Sequence, residues 1–224
     1  KQLNMVLLKS IDDCIQWRKA QKKTLGFIPT MGALHEGHLS LVRLSQKTCD
    51  KTIVSIFLNP TQFAENEDLD SYPNTINEDL KKLRQENVDA VFMPSINEMY
   101  KNNQKDYWFE TPLALKLEGS SRPHFFKGVT MVVHKLFKFV QPTHTVFGQK
   151  DAQQLLIIKE MIKHNDYGIK VISGSTVRSD SGLALSSRNT YLNTKETKIA
   201  HNVYLGLLKI KSCLDSGEKN PAIL

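Results

Sequence analysis

Cysteine is scarce in this chain: the 224 residues hold three, Cys14, Cys49 and Cys213, far apart and never in C-x-x-C spacing. That scatter excludes a disulfide framework and a thiolate zinc site, and an odd number of thiols fits a reducing compartment where they serve packing. No apolar run approaches the roughly 18 residues that a membrane span needs. The N-terminal KQLNMVLLKSIDDC has neither a long apolar h-region nor a small-residue cleavage site, so the expectation is a cytoplasmic protein with no membrane partner. There is no internal repeat and no low-complexity tract. The sequence also lacks an aromatic stacking platform and a continuous basic stripe, which argues against a nucleic-acid partner.

What is present is a composition able to bury a core: 40% hydrophobic and 24% charged residues, enough for one full domain and part of another. The net charge of +7 is spread over ordinary helix-face positions such as Lys81, Lys82, Lys135, Lys138, Lys159 and Lys163. A small polyanionic substrate would exploit that field.

The densest stretch is Gly26 to Leu44, GFIPTMGALHEGHLSLVRL. Leu25, Phe27 and Ile28 read as the end of a buried strand, Pro29 and Gly32 stop it, and Leu39, Leu41, Val42 and Leu44 give a helix-like apolar set. The first turn of such a helix has unpaired backbone N–H groups and the positive end of the macrodipole, which suits phosphate oxygens. His35 and His38 stand there, three apart and able to face one anion, with Gly37 leaving room for a ligand near the backbone. Half of a metal site, two idle surface histidines and a phosphate-binding turn all fit the spacing, and the lack of cysteine partners weighs against the first. His-x-Gly-His after a strand also resembles the signature of the nucleotidylyltransferase superfamily that includes the class I aminoacyl-tRNA synthetases.

Along the chain, Ser10 and Asp13 predict a capped helix to about Lys22, followed by a strand over Thr24 to Ile28. Thr52 to Leu58 is apolar enough for a central strand of a parallel sheet, ended by Asn59 and Pro60. The loop TQFAENEDLDSYP and its surroundings carry Glu65, Glu67, Asp68, Asp70 and Glu78, expected mostly in solvent. Thr75 and Glu78 predict a second capping box before a helix bearing Ile76, Leu80 and Leu83, and Val88 to Met93 the next strand. Residues 97–127 are hard to read beyond a strand signal at Tyr107 to Glu110. Helical spacing runs from Gly128 to Val140, then come a strand at Thr145 to Phe147, a helix over Ala152 to His164, a strand at Ile169 to Ile172, and a Thr194-capped helix to about Ser216. The alternation predicts an α/β fold, a Rossmann-like doubly wound parallel sheet.

Ligands of such sheets lie beyond the carboxyl ends of the strands. The unusual residues follow strands: Met31 to His38, Asn59 to Phe63, and Gly148, Gln149, Lys150 and Asp151. Lys150 offers a point charge to a phosphate, Asp151 a helix cap or an acceptor for ribose hydroxyls, and the amides of Gln62 and Gln154 a hold on a small hydroxylated ligand. Ser186, Ser187 and Arg188 suit a mobile loop that clamps a polyphosphate.

In order, PTMGALHEGH, SIFLNPTQF, the SYP segment, RPHFFKGVTMVVHKLF, FGQKDAQQL and GLALSSRN, spanning about Leu25 to Leu192, resemble the pantothenate synthetase family. That resemblance implies an ATP-dependent ligase that condenses pantoate with β-alanine through a pantoyl adenylate and releases AMP and pyrophosphate. It assigns ATP binding to Met31, Gly32, Ala33, Leu34, His35, Glu36, Gly37, His38, Gly148, Gln149, Lys150, Asp151, Val177, Leu185, Ser186, Ser187 and Arg188. It puts His38 in the catalytic position, and chemistry adds His35, Lys150 and Arg188 as groups that neutralise charge on the phosphates. Gln62 and Gln154 are implied to hold pantoate, Gln62 also bordering the β-alanine site. Magnesium (Mg2+) is expected on the nucleotide, with no protein ligand assigned: Asp79 is a candidate, but Lys82 stands where a second coordinating oxygen is wanted. A homodimer is implied. Because the family continues well past residue 224, the expectation is a nucleotide- and pantoate-binding domain over 1–175 and the start of a smaller, truncated C-terminal lid domain over 176–224.

Overall fold

A computed structural model of the chain describes residues 5–100 and 107–224. In chain order the elements are β1 (Val6–Leu8), α1 (Ile11–Ala20), β2 (Leu25–Thr30), α2 (Glu36–Thr48), β3 (Lys51–Ile56), α3 (Ile76–Gln85), β4 (Ala90–Phe92), α4 (Ile96–Tyr100), α5 (Glu118–Ser121), α6 (Phe125–Val140), β5 (His144–Gly148), α7 (Ala152–His164), β6 (Lys170–Gly174), α8 (Thr194–Ala200) and α9 (Asn202–Asp215). The strands form one sheet in the order β1-β4-β3-β2-β5-β6, and every neighbouring pair is parallel. Strand order therefore reverses between β2 and β5, the place where the crossovers diverge and a crevice opens beyond the strand ends.

Side chains of the central strands alternate between two cores, as the pleat requires. Leu25, Phe27, Ile53 and Phe147 join the layer that holds Cys14 of α1, Leu136 and Phe137 of α6 and Ile158 of α7. Ile28, Val54, Ile56 and Val146 point the other way, toward Leu41 and Val42 of α2 and Leu80 and Leu83 of α3. Helices thus cover both faces, which is why β2 and β3 read as nearly continuous apolar runs. Among the described residues no helix is long and apolar enough to cross a membrane.

Several expectations need correction. The sheet has an edge strand ahead of the predicted first one, β1, whose Val6 and Leu7 are exposed and so give no burial pattern. Tyr107 to Glu110 forms no strand, and residues 101–106 of the hard-to-read segment lie outside the described residues. Thr75 stands at the N-cap of α3 without capping it, because its hydroxyl donates to Asp79 at 3.2 Å instead. The long C-terminal helix is two helices, capped by Asn193 rather than Thr194. The break falls at His201, whose ring is hydrogen-bonded to the Lys198 carbonyl and competes with the backbone ladder there. Of the five loop carboxylates, Glu65, Asp70 and Glu78 are exposed as expected, while Glu67 pairs with Arg122 and Asp68 with Arg188.

The start of α6 fixes the turn that follows β3. A Cβ built on Gly128 would lie 2.3 Å from the Thr61 carbonyl oxygen and 2.7 Å from the Gln62 nitrogen, so helix backbone rides directly on loop backbone. Asn59 joins the two, its Nδ2 donating to the Gly128 carbonyl at 3.2 Å. In an open helix Gly→Ala stabilises by about 1 kcal/mol. Here the clash is with backbone, so Gly128→Ala is expected to destabilise by about 1–3 kcal/mol, the usual cost of overpacking. Denaturant unfolding measures it, and a variant as stable as the parent or more stable would show that the helix and turn are not in this contact.

Candidate functional site

The crevice at the strand-order reversal is built from four loops. The segment after β2 contributes Met31, His35 and His38; the segment after β3, Asn59 and Gln62; the end of β5 and the segment after it, Gly148, Lys150 and Asp151, with Gln154 one turn into α7; and the segment after β6, Val177 and Leu185 to Arg188. Gly37 and Tyr72 complete this part of the wall. Of the residues singled out in the sequence, Gly32, Ala33, Leu34, Glu36 and Gln149 do not line it. The Leu34 side chain is buried in the core on the α2 face, Glu36 pairs outward with Arg43, and Gln149 is exposed.

The histidine turn has a specific geometry. His35 is the N-cap of α2, and its Nδ1 accepts the Gly37 N–H at 3.1 Å; His38, at the third helical position, accepts the His35 N–H on its own Nδ1 at 3.3 Å. Two imidazoles thus form a reciprocal capping box, with ring centroids 4.1 Å apart. Backbone N–H groups only donate, so each Nδ1 is the unprotonated nitrogen and the proton of each neutral ring sits on Nε2. A Cβ on Gly37 would fall 2.8 Å from His35 Cε1. The room left by this glycine is therefore filled by the His35 ring, not by ligand as the sequence suggested.

Both rings are uncharged at neutral pH. Burial pushes His38 down to about 3, with the positive neighbours His35, Lys150 and Lys82 adding to it. Burial also lowers His35, helped by Lys150 and Lys82. The two rings are oriented hydrogen-bond donors through Nε2, and Lys150 adds positive charge to this part of the crevice, with its Nζ 3.3 Å from Asp151. That contact occupies the Asp151 carboxylate, which does not cap α7.

Gln62 is buried, and its amide is fixed at both ends. Its Oε1 accepts from Asn59 Nδ2 at 3.3 Å and its Nε2 points to the Met31 sulfur at 2.9 Å. Asn59 is fully buried, and its Oδ1 accepts the Tyr100 hydroxyl at 2.6 Å and the Thr61 hydroxyl at 3.0 Å. The sequence marks Asn59 both as the end of a strand and as the start of a polar cluster beyond it, but gives no sign of this hydrogen-bond network, whose Tyr100 partner lies 41 residues away.

Arg188 reaches the crevice but is engaged. It forms a two-pronged ion pair with Asp68, Nε to Oδ2 at 2.7 Å and Nη2 to Oδ1 at 2.8 Å, and packs over the Tyr72 and Phe63 rings. The guanidinium, joined by the Tyr191 hydroxyl, holds Asp68 down at about 2. Ser187 ties the same segment to the histidine turn, its hydroxyl donating to the Ala33 carbonyl at 2.9 Å. Behind it, residues 178 and 184 bridge antiparallel, and Arg178 packs over Tyr204 of α9.

Comparison with known proteins identifies relatives of the whole fold. The sequence model of the family described as pantoate-beta-alanine ligase matches residues 6–223. A pantothenate synthetase of Thermosipho africanus is 49% identical over 203 residues, 91% of this chain and 73% of that protein. One of Pseudothermotoga lettingae is 49% identical over 220 residues, 96% of this chain and 78% of the relative. Among solved structures, pantothenate synthetase of Thermus thermophilus superposes with a TM-score of 0.91 at 38% identity, covering 95% of this chain and 77% of the other. Pantoate-beta-alanine ligase of Francisella tularensis, crystallised with beta-gamma ATP and β-alanine, gives 0.85 at 38% identity over 89% of this chain and 78% of its own. With that match running almost end to end, the chain belongs to the pantoate–β-alanine ligase family of enzymes.

Proposed function

We propose that this enzyme joins pantoate to β-alanine at the expense of ATP, by way of a pantoyl adenylate formed in the crevice between β2 and β5. The observation that carries the reading is that two kinds of group line one crevice: oriented, uncharged imidazoles together with Lys150, and the amides of Gln62 and Gln154. The first kind suits phosphates. The second suits a small hydroxylated acid, and a phosphorylated acceptor would call for cations where these amides stand.

In the first step a pantoate carboxylate oxygen attacks the α-phosphorus in line, the bond to the bridging oxygen breaks, and pyrophosphate leaves. No nucleophilic side chain is needed, so the chain contributes position and charge stabilisation. The Nε2–H groups of His35 and His38 donate to phosphate oxygens, Lys150 supplies positive charge, and the Gln62 and Gln154 amides hold pantoate. Arg188 joins the phosphates by exchanging Asp68 for them. In the second step the amine of β-alanine attacks the acyl carbon, the bond to AMP breaks, and the amine loses a proton.

Among the described residues no three histidine, cysteine or acidic side chains form a metal cluster. Magnesium would be carried by the nucleotide's own oxygens and water, where the ion would offset phosphate charge. Pantoate-dependent exchange of pyrophosphate into ATP tests substrate and intermediate together, and its absence in active protein would overturn the adenylate route.

His38→Ala is expected to slow adenylate formation by about 10²- to 10³-fold, the scale for losing one preorganised donor to developing charge. Near-normal single-turnover adenylation in a folded variant would remove His38 from the mechanism.

Gln62→Ala and Gln154→Ala are each expected to weaken pantoate binding by about 1–3 kcal/mol, since a buried hydroxyl of the ligand loses its partner, while ATP affinity stays nearly unchanged. Calorimetric titration separates the two ligands, and equal losses for both would contradict the assigned pocket.

A further inference from the structure

Behind the histidine turn lies a charged pair that the reaction does not touch. Gly32 and Ala33 both have positive φ, 86° and 50°, and the turn they make points the backbone N–H groups of Ala33 and Leu34 into one small concavity that suits an anion. The second of these is costly for a residue with a Cβ, so something must hold it. The occupant is the chain's own carboxylate. Asp79 of α3 is completely buried; its Oδ2 accepts the Ala33 N–H at 2.8 Å and its Oδ1 the Leu34 N–H at 2.7 Å, with the Thr75 hydroxyl 3.2 Å from Oδ1. Lys82, three residues further along the same helix face, donates from Nζ to the Leu34 carbonyl at 2.5 Å. One helix face therefore supplies an anion for two N–H groups and a cation for the carbonyl that follows.

This arrangement does not fit a metal ligand. Both Asp79 oxygens are spent on backbone donors, and the neighbouring Lys82 ammonium would repel a cation. Nor are the Ala33 and Leu34 amides open to nucleotide phosphates. The next residue after the clamp is His35, the cap of α2, and its backbone N–H orients His38.

We propose that Asp79 and Lys82 are positioning residues for the nucleotide half of the reaction: they lock the left-handed turn after β2 so that His35 caps α2 and both imidazoles present Nε2–H to the crevice. This rests on the ATP-and-pantoate reading above for its kinetic consequence, but the geometry of the rings can be tested without any substrate.

The first variant is Asp79→Asn, which keeps shape but turns one acceptor into a donor facing a backbone N–H. In substrate-free protein, nitrogen-detected NMR of the histidine rings reports tautomer and titration: the parent is expected to show two neutral Nε2–H rings, and the variant a mixed or altered tautomer at His35 or His38. In pantoate-dependent exchange, kcat/KM for ATP is expected to fall about 10²-fold, the scale of an ångström of misplacement, while KM for pantoate changes less than twofold. Raising Mg2+ is expected to restore nothing, whereas recovery at high Mg2+ would mark Asp79 as a metal ligand and overturn the proposal. So would unchanged ring tautomers together with an unchanged ATP KM. Lys82→Met guards against an unfolded Asp79 variant: removing the ammonium is expected to raise both histidine titrations and the ATP KM, and no movement of either would likewise overturn it. Absence of exchange in the parent enzyme would instead refute the ligase reading, leaving the NMR result to judge the turn alone.

Discussion

The reversal of strand order between β2 and β5 is the constraint on which the rest of the molecule depends. Parallel strands that run outward from a shared centre send their crossovers to opposite sides, so the loops after β2 and β5 part and leave a crevice that neither helix layer covers. The polar groups after β2, β3, β5 and β6 meet there although they are separated by well over a hundred residues. The two apolar layers, one on each face, hold the strands in a single register, and that register decides which loop residues reach the rim.

Within the crevice, burial and charge act together on the histidines. A ring at a helix N-terminus already faces partial positive charge, and Lys82 and Lys150 add whole charges nearby. The site thereby keeps its imidazoles neutral while remaining attractive to anions. The same construction gives each ring a defined direction, because the nitrogen that accepts from the backbone leaves only the other one to donate.

Much of the fold was legible in the sequence because periodicity records burial. The α7 boundaries and the central position of β3 follow from apolar spacing that the cores require, and the capping box of α1 from the local Ser10 and Asp13 pair. Elements with little burial left no such trace: β1 is a three-residue edge strand, and α8 and α9 divide at a side-chain hydrogen bond. At the site, residue type pointed to His35, His38, Gln62, Gln154 and Lys150, all of which line the crevice. What escaped was pairing at long range. The Thr75–Glu78 spacing predicts a capping box, yet the hydroxyl is diverted to a carboxylate whose other partners lie more than forty residues earlier. Arg188 lines the crevice, while its engagement by Asp68, a hundred and twenty residues away, has no signature in local pattern.

The double capping of α2 also sets how protons can move. Each imidazole has spent its single lone pair on a backbone N–H, so the turn holds two donors and no vacant base. Neither ring can collect a proton without abandoning its cap and loosening the helix that carries it. Under the proposed reaction, the amine of β-alanine would therefore discharge its surplus proton elsewhere, to solvent or to the departing phosphate, and the acid–base traffic would bypass both rings.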